Sequence, residues 1–258
     1  MNDNDKFTDE YPPDEKKLKA KLDRLQKCWA DNLCSSQDSK YFCSDGFYPY
    51  YSHQKTKILF VGQESYDLGG QDYIEAIHEV YSTAKIGNKR CINQDKFHRR
   101  IFYIVYGILH DFPAWKDVPY PDAHCDDIFS ENGISFAFMN ISKISPNSGY
   151  RPTDWTDVKR SVHEGANYIR EEVKLLAPDI VVTMALMRDA EIRSALFDTC
   201  EPVDCTDPDV HVYQAMNGDK KMLVLDAWHF SAWKNELNCY YQPISNAISK
   251  YHGLIEDV

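Results

Sequence analysis

The chain has 258 residues, 27% of them charged and 13% aromatic, with a formal net charge of −11. That length can bury a sizeable core as one large domain, and the composition excludes a wholly disordered chain. The acidic balance excludes a strong, indiscriminate polyanion binder while leaving room for a local basic groove.

After Pro12-Pro13, Leu18, Leu22, Leu25 and Trp29 recur at helical spacing and predict an amphipathic N-terminal helix. Residues 32–54, rich in Ser, Tyr and Asp, predict a wandering connection. From Lys57 onward strands and helices alternate. "KILFVG" is an apolar strand, a helical pattern follows near 71–82, and "FHRRIFYIVYGILHDF" (97–112) puts Phe97, Ile101, Ile104, Val105 and Ile108 on one face. "ISFAFMN" (134–140) is a second strand, followed by a loop and a helix from about 154 to 176. "DIVVTMA" (179–185) is a third strand with a helix after it. "HVYQAMNGDKKMLVLDA" predicts a hairpin turning at Asn217-Gly218, whose second arm is the last core strand, and a helix near 241–252 closes the chain.

No apolar run approaches the ~20 residues of a bilayer span. The first residues are polar and acidic and carry no signal-peptide core, so a cytoplasmic protein with no membrane association is expected. The eight cysteines include no Cys-x-x-Cys pair and no His at finger-like spacing. With no secretion signal, disulfides are not expected either. Reduced thiols packed as small apolar side chains are expected, and no metal or other cofactor.

Charge is unevenly distributed. Lys85, Lys89, Arg90, Lys96, Arg99 and Arg100 face a single Asp95 between positions 85 and 100, whereas the segment 198–210 holds five acids and no base. The first is either a solvated face or a phosphate-meeting surface. The second is an acidic loop that could meet a protein partner.

Continuous apolar strands separated by helices imply a mostly parallel sheet covered on both faces. In such sheets ligands gather at the carboxyl ends of the strands. Gly62-Gln63-Glu64 follow the first strand, Asn140 ends the second, Met184 ends the third with nothing reactive, and His229 follows the fourth. Glu64 can orient or deprotonate a water, or stabilise positive charge developing on a sugar. Asn140 offers one acceptor and two donors, a fit for the edge of an amide-like ring. Neutral His229 can donate a hydrogen bond to an oxygen that becomes anionic as a leaving group departs. Singly, each is also what a solvated loop Glu or a hydrogen-bonded strand-end Asn or His looks like; together at one rim they describe a pocket.

Three segments carry a specific likeness. "ILFVGQESYD", "GISFAFMNIS…SGYRPTDWTDV" and "VLDAWHFSAW" resemble, in order, spacing and strand context, the three signature regions of the uracil-DNA glycosylase superfamily, nearest its classical uracil-excising branch. The resemblance covers roughly residues 57–235. It implies a three-layer α/β/α sandwich around a mostly parallel four-stranded sheet, with residues 1–45 as an N-terminal helical extension and 46–258 as the glycosylase-like domain. It also implies a DNA-repair hydrolase that flips a uracil out of DNA and breaks its base–sugar bond.

Matched residue by residue, the resemblance gives Gly62 and Gln63 the approach to the flipped nucleotide and Glu64 the water-activating carboxylate. Tyr66 takes the place of the ring that excludes a thymine methyl, Asn140 that of the pyrimidine-reading amide, and His229 that of the donor to the uracil O2. Ser231 matches a phosphate-contacting serine. Trp233 stands where the family has a leucine wedge that enters the base stack. Lys143 and Arg151, with the basic run 85–100, are expected to meet phosphates. The expected partner is single-stranded DNA or a flipped base, bound by a monomer.

The chain departs from the pattern at Glu64, where the family has Asp, at Ser65 for Pro and at Asp67 for His. Phe230 and Ala232 replace the two prolines of the last loop, which predicts a less preorganised loop. These departures keep two alternatives open: a relative acting on a free nucleotide or nucleobase, and a non-catalytic nucleotide- or protein-binding module.

Overall fold

Strands that are apolar at every position have to be covered on both faces. The computed structural model describes residues 7, 10–32, 41–65, 68–87, 90–145 and 153–255, and in it Ile58–Val61, Ala137–Met139 and Ile180–Val182 are all 1% exposed or less. Burying each of these side chains other than that of Ala137 stabilises the fold by about 2 kcal/mol before chain entropy is counted.

Nine strands are present among the described residues: β1 Gly46–Phe47, β2 Ile58–Glu64, β3 Lys85–Ile86, β4 Arg90–Cys91, β5 Ala137–Ser142, β6 Ile180–Met184, β7 Thr199–Asp204, β8 Val210–Asn217 and β9 Lys220–Ala227. The main sheet runs β1-β5-β2-β6-β9-β8-β7, while β3 and β4 form a separate small hairpin. The central four, β5, β2, β6 and β9, are mutually parallel. Antiparallel strands extend them on both sides. The expected four-stranded sheet is therefore corrected to seven strands.

Two of the extra strands left no periodic signal. Only two residues of β1 pair with β5. The edge strand β7 contains Pro202 and falls in the expected acidic loop, where a register shift lies between Pro202 and Asp204. Proline and a bulge are tolerated there because nothing pairs beyond an edge. Three acids of that segment accept hydrogen bonds. Asp204 accepts from Tyr251 Oη at 2.6 Å, Asp209 from Trp228 Nε1 at 2.7 Å, and Asp198 from the Gly218 N–H at 2.9 Å.

Six α-helices are described: α1 Lys16–Asn32, α2 Tyr73–Thr83, α3 Lys96–Leu109, α4 Trp155–Leu176, α5 Ala190–Leu196 and α6 Gln242–Tyr251. Four of them begin where an aspartate side chain accepts first-turn N–H groups: Asp72, Asp95, Asp154 and Asp189. The buried stripe of α1 is Lys19, Leu22, Gln26 and Trp29: of the stripe read from the sequence Leu22 and Trp29 are buried, while Leu18 and Leu25 are only partly buried. The rotation has a polar cause. Gln26 donates to the Asp45 carbonyl at 3.0 Å and to Glu172 Oε1 at 2.9 Å. Trp29 stacks on Tyr168 of α4 at 5.5 Å, where Gly165 leaves room that a Cβ would fill. The N-terminal helix is thus packed into the α/β unit. Among the described residues no helix is long and apolar enough to cross a membrane.

Candidate active site

The carboxyl ends of β2 and β5 lie side by side, with Gly62 opposite Asn140 and Glu64 opposite Ser142. Alternation along β2 puts Phe60, Gly62 and Glu64 on one face. That face is identified by Phe60, which packs against Phe230 at 5.9 Å and Phe136 at 5.6 Å. Strand geometry separates the Glu64 and Asn140 Cα atoms by roughly 8 Å.

Asn140 is 2% exposed, and its Nδ2 is buried without a hydrogen-bond partner among the described residues. A Cβ at Gly62 would lie 2.6 Å from Asn140 Oδ1 and 3.1 Å from the Phe138 ring, so the glycine lets the amide and the ring pack directly against β2. A buried amide left unpaired costs about 1–3 kcal/mol, a cost that a ligand edge would remove.

Behind Asn140 lies a closed polar network. The Asn140 N–H donates to Asp45 Oδ2 at 2.7 Å, and the other Asp45 oxygen pairs with Lys143 Nζ, which also lies 2.9 Å from Glu172 Oε2. Burial raises the Asp45 pKa well above the carboxylate range despite the Lys143 ammonium. Burial works against the Lys143 charge too, but the attraction of Asp45 and Glu172 outweighs it and raises the Lys143 pKa. Lys143 is 1% exposed. It is therefore corrected from a phosphate ligand to an internal counter-ion that holds the backbone of Asn140 through Asp45.

The second half of the site is the loop after β9. His229 Nδ1 accepts the Ser231 backbone N–H at 3.2 Å, so in the neutral ring the proton sits on Nε2. Burial, and then the Arg100 guanidinium, hold the His229 pKa below its ordinary value. The ring lies 5.8 Å from Phe97, which is 6.0 Å from Phe138. Phe97 thereby connects the His229 loop to the Asn140 strand on one side of the sheet.

The loop lacks prolines but not restraint. Arg100, 1% exposed, donates to the carbonyls of Phe230 at 2.5 Å, Ala232 at 2.8 Å and Lys234 at 2.7 Å. The Tyr240 hydroxyl donates to the His229 carbonyl at 3.0 Å. Tyr240 belongs to a π-helical segment, Leu237–Tyr241, that leads into α6. The expectation of a loosened loop is corrected: a buried guanidinium fixes what two prolines would have fixed. Arg100 and Arg99, which pairs with Glu236 at 2.5 Å, are accordingly not phosphate ligands, although both fall in the basic run.

Trp233, at the tip of this loop, is 91% exposed, with Lys96 Nζ 3.2 Å above its ring. Ser231 is exposed beside it. Gln63 Oε1 accepts from Thr153 Oγ1 at 3.2 Å, tying the β2 rim to the chain entering α4. Tyr66 and Arg151 lie outside the described residues. Among the described residues no three His, Cys, Asp or Glu side chains converge as a metal site.

Sequence reasoning missed Phe97 and Asp45 as parts of the site and placed Arg100 only in a basic run. Arg100 had a signal: it stands on the apolar stripe of α3, between Phe97 and Ile104. Asp45 had none, because its role depends on long-range contacts with Lys143 and Glu172. A scan against protein-family models finds no match, and a search of curated proteins finds none.

Proposed function

We propose that the chain is a uracil-DNA glycosylase-like N-glycosidase that hydrolyses the base–sugar bond of a flipped uracil or other deaminated base in DNA. The observation that carries this reading is the buried Asn140 Nδ2, which has no hydrogen-bond partner among the described residues and belongs to an amide packed beside Gly62 at the end of β2. The helices fit the three-layer sandwich of that superfamily, with α4 beside α1 and α5, and α3 beside α6.

In this reading Asn140 pairs with the base edge and Phe97 and Phe138 wall it. As the bond between the sugar C1′ and the base nitrogen breaks, its electron pair passes into the base. His229 Nε2–H donates to the oxygen that becomes anionic, in a site where burial strengthens the interaction. Glu64 orients a water toward C1′ and takes its proton, which leaves a free base and an abasic sugar. Glu64 shares the face of Gly62 at the end of β2, next to the strand that carries Asn140. Trp233 fills or stacks on the gap in the strand.

The test is a uracil-containing single-stranded oligonucleotide, incubated with the protein and then treated with alkali. Cleavage at uracil, and not at thymine or cytosine, is the expected result; an intact strand refutes the reading. One finding favours a free nucleotide or nucleobase as substrate instead: Lys143, Arg99 and Arg100 are withdrawn from the phosphate-binding inventory. Binding of free uracil or its nucleotide without strand cleavage would select that alternative, and binding of neither would favour a non-catalytic module.

A further inference from the structure

A cavity of about 810 Å³ lies between α1 and α2, and its lining includes Lys19, Asp23, Gln26, Asp72, Glu75 and Glu79. The volume is that of a small-molecule site. With Lys27 at the same cavity, four carboxylates stand against two ammonium groups, and Lys19 is already paired with Asp23 at 2.5 Å. The field in this corner is negative. Burial first, and then the charges of Asp72, Glu15, Asp23 and Glu10, raise the Tyr11 pKa well above that of an ordinary phenol.

Gln26 supplies a second, independent feature. It lines the cavity and is only 2% exposed. Its Nε2 donates inward, to the Asp45 carbonyl at 3.0 Å and to Glu172 Oε1 at 2.9 Å, which fixes the way the amide is turned. Oε1, the other branch of the same planar group, is buried with no hydrogen-bond partner among the described residues. The cavity thus offers an unused acceptor in its wall and carboxylates around it. Its complement is a ligand rich in N–H donors and positive charge.

We propose that this cavity binds a small aliphatic di- or polyamine, one ammonium group donating to Gln26 Oε1 and the others lying against the acids of α2. Asp72, Glu75 and Glu79 follow one another at helical spacing, so they share one side of α2 and its cap. Their steps along the axis are about 4.5 and 6 Å, the separation of ammonium groups joined by a short methylene chain. A single metal ion does not match this spread, because among the described residues no three His, Cys, Asp or Glu side chains converge as a metal site. The inference stands apart from the glycosylase-like reading, although Gln26 joins the cavity wall to the Asp45 network behind Asn140.

The full-length protein is titrated calorimetrically with spermidine, beside sodium chloride and magnesium chloride at matched ionic strength. Saturable binding of spermidine that neither salt reproduces is the expected result. Glu79→Lys, a charge reversal at an exposed position, should weaken it about three- to tenfold. Gln26→Met, which removes the acceptor, should weaken it about tenfold. Glu201→Gln, exposed on the edge strand β7, should leave the affinity unchanged. Circular dichroism checks the fold of each variant, and Glu79→Lys decides the matter if Gln26→Met does not fold. A wild type that binds no spermidine, magnesium that displaces it at equal ionic strength, or wild-type affinity in Glu79→Lys would each overturn the site. A lysine-rich peptide that binds more tightly than spermidine, and is weakened by the same substitutions, would overturn a small-amine site in favour of a protein-docking groove.

Discussion

Substituting Gly62 by alanine adds one methyl group at the point where β2 and β5 present the candidate site. Gly62 lies in regular strand conformation, outside the left-handed region, so alanine adds no backbone strain. The conflict is with its neighbours. The new Cβ would meet Asn140 Oδ1 at 2.6 Å, whereas ordinary contact begins at 3.4 Å, so the amide has to retreat by about 0.8 Å. The Phe138 ring, 3.1 Å away, has to give as well. Asn140 cannot retreat by moving its backbone, because its N–H is held by Asp45 at 2.7 Å; the displacement falls on the side chain proposed to read the base. A misplacement near 1 Å at a reacting centre costs up to about 10²-fold in rate, and overpacking one methyl group costs about 1–3 kcal/mol of stability. Gly62→Ala should therefore fold, melt earlier than wild type and lose about 10- to 100-fold in kcat/KM for uracil excision, measured well below its melting temperature. A folded variant that excises within twofold of wild type would show that the placement of the Asn140 amide against β2 does not govern excision.

The same geometry constrains other substitutions. Arg100→Met should destabilise by about 3–5 kcal/mol in chemical denaturation, since it strips charged hydrogen bonds from a buried loop, and Arg100→Lys should not rescue it because lysine lacks the planar fork; a loss below about 1 kcal/mol would refute the guanidinium as the pin. Burial and then Arg100 depress the His229 pKa below about 6.5. The stability linked to this ring is full above the unfolded value and declines as pH falls from there toward the folded one, because the unfolded chain takes up the proton first. Titration of the His229 ring by NMR should give a midpoint below 6.5, and a midpoint at or above that value would contradict the neutral donor. If the extra methylene of Glu64 misplaces the water, Glu64→Asp should raise excision, and an unchanged or lower rate rejects that account.

The parallel core and its helices were legible because their signal is local. Continuous apolar runs at 58–61 and 180–182 and the helical stripe of α3 need no knowledge of partners. The rim positions Gly62, Asn140 and His229 followed from strand ends alone, and the structure brings Gly62 and Asn140 into direct opposition. What escaped depended on pairs distant in the chain. β1 is a strand only because β5 lies beside it, and β7 only because β8 does. Lys143 looks like a phosphate ligand in the sequence, since nothing near it announces that Asp45 and Glu172 will enclose it. The loss of the loop prolines predicted looseness because proline acts locally, whereas Arg100 reaches the same loop from 130 positions away along the chain.

The most direct test of the central claim is excision of uracil from a single-stranded oligonucleotide by the wild-type chain, beside Asn140→Ala and His229→Ala. Strand cleavage after alkali by the wild type, lost in both variants while both remain folded, is the result that the shared pocket predicts. Cleavage that survives in either variant, or a wild type that leaves the uracil in place, would contradict it.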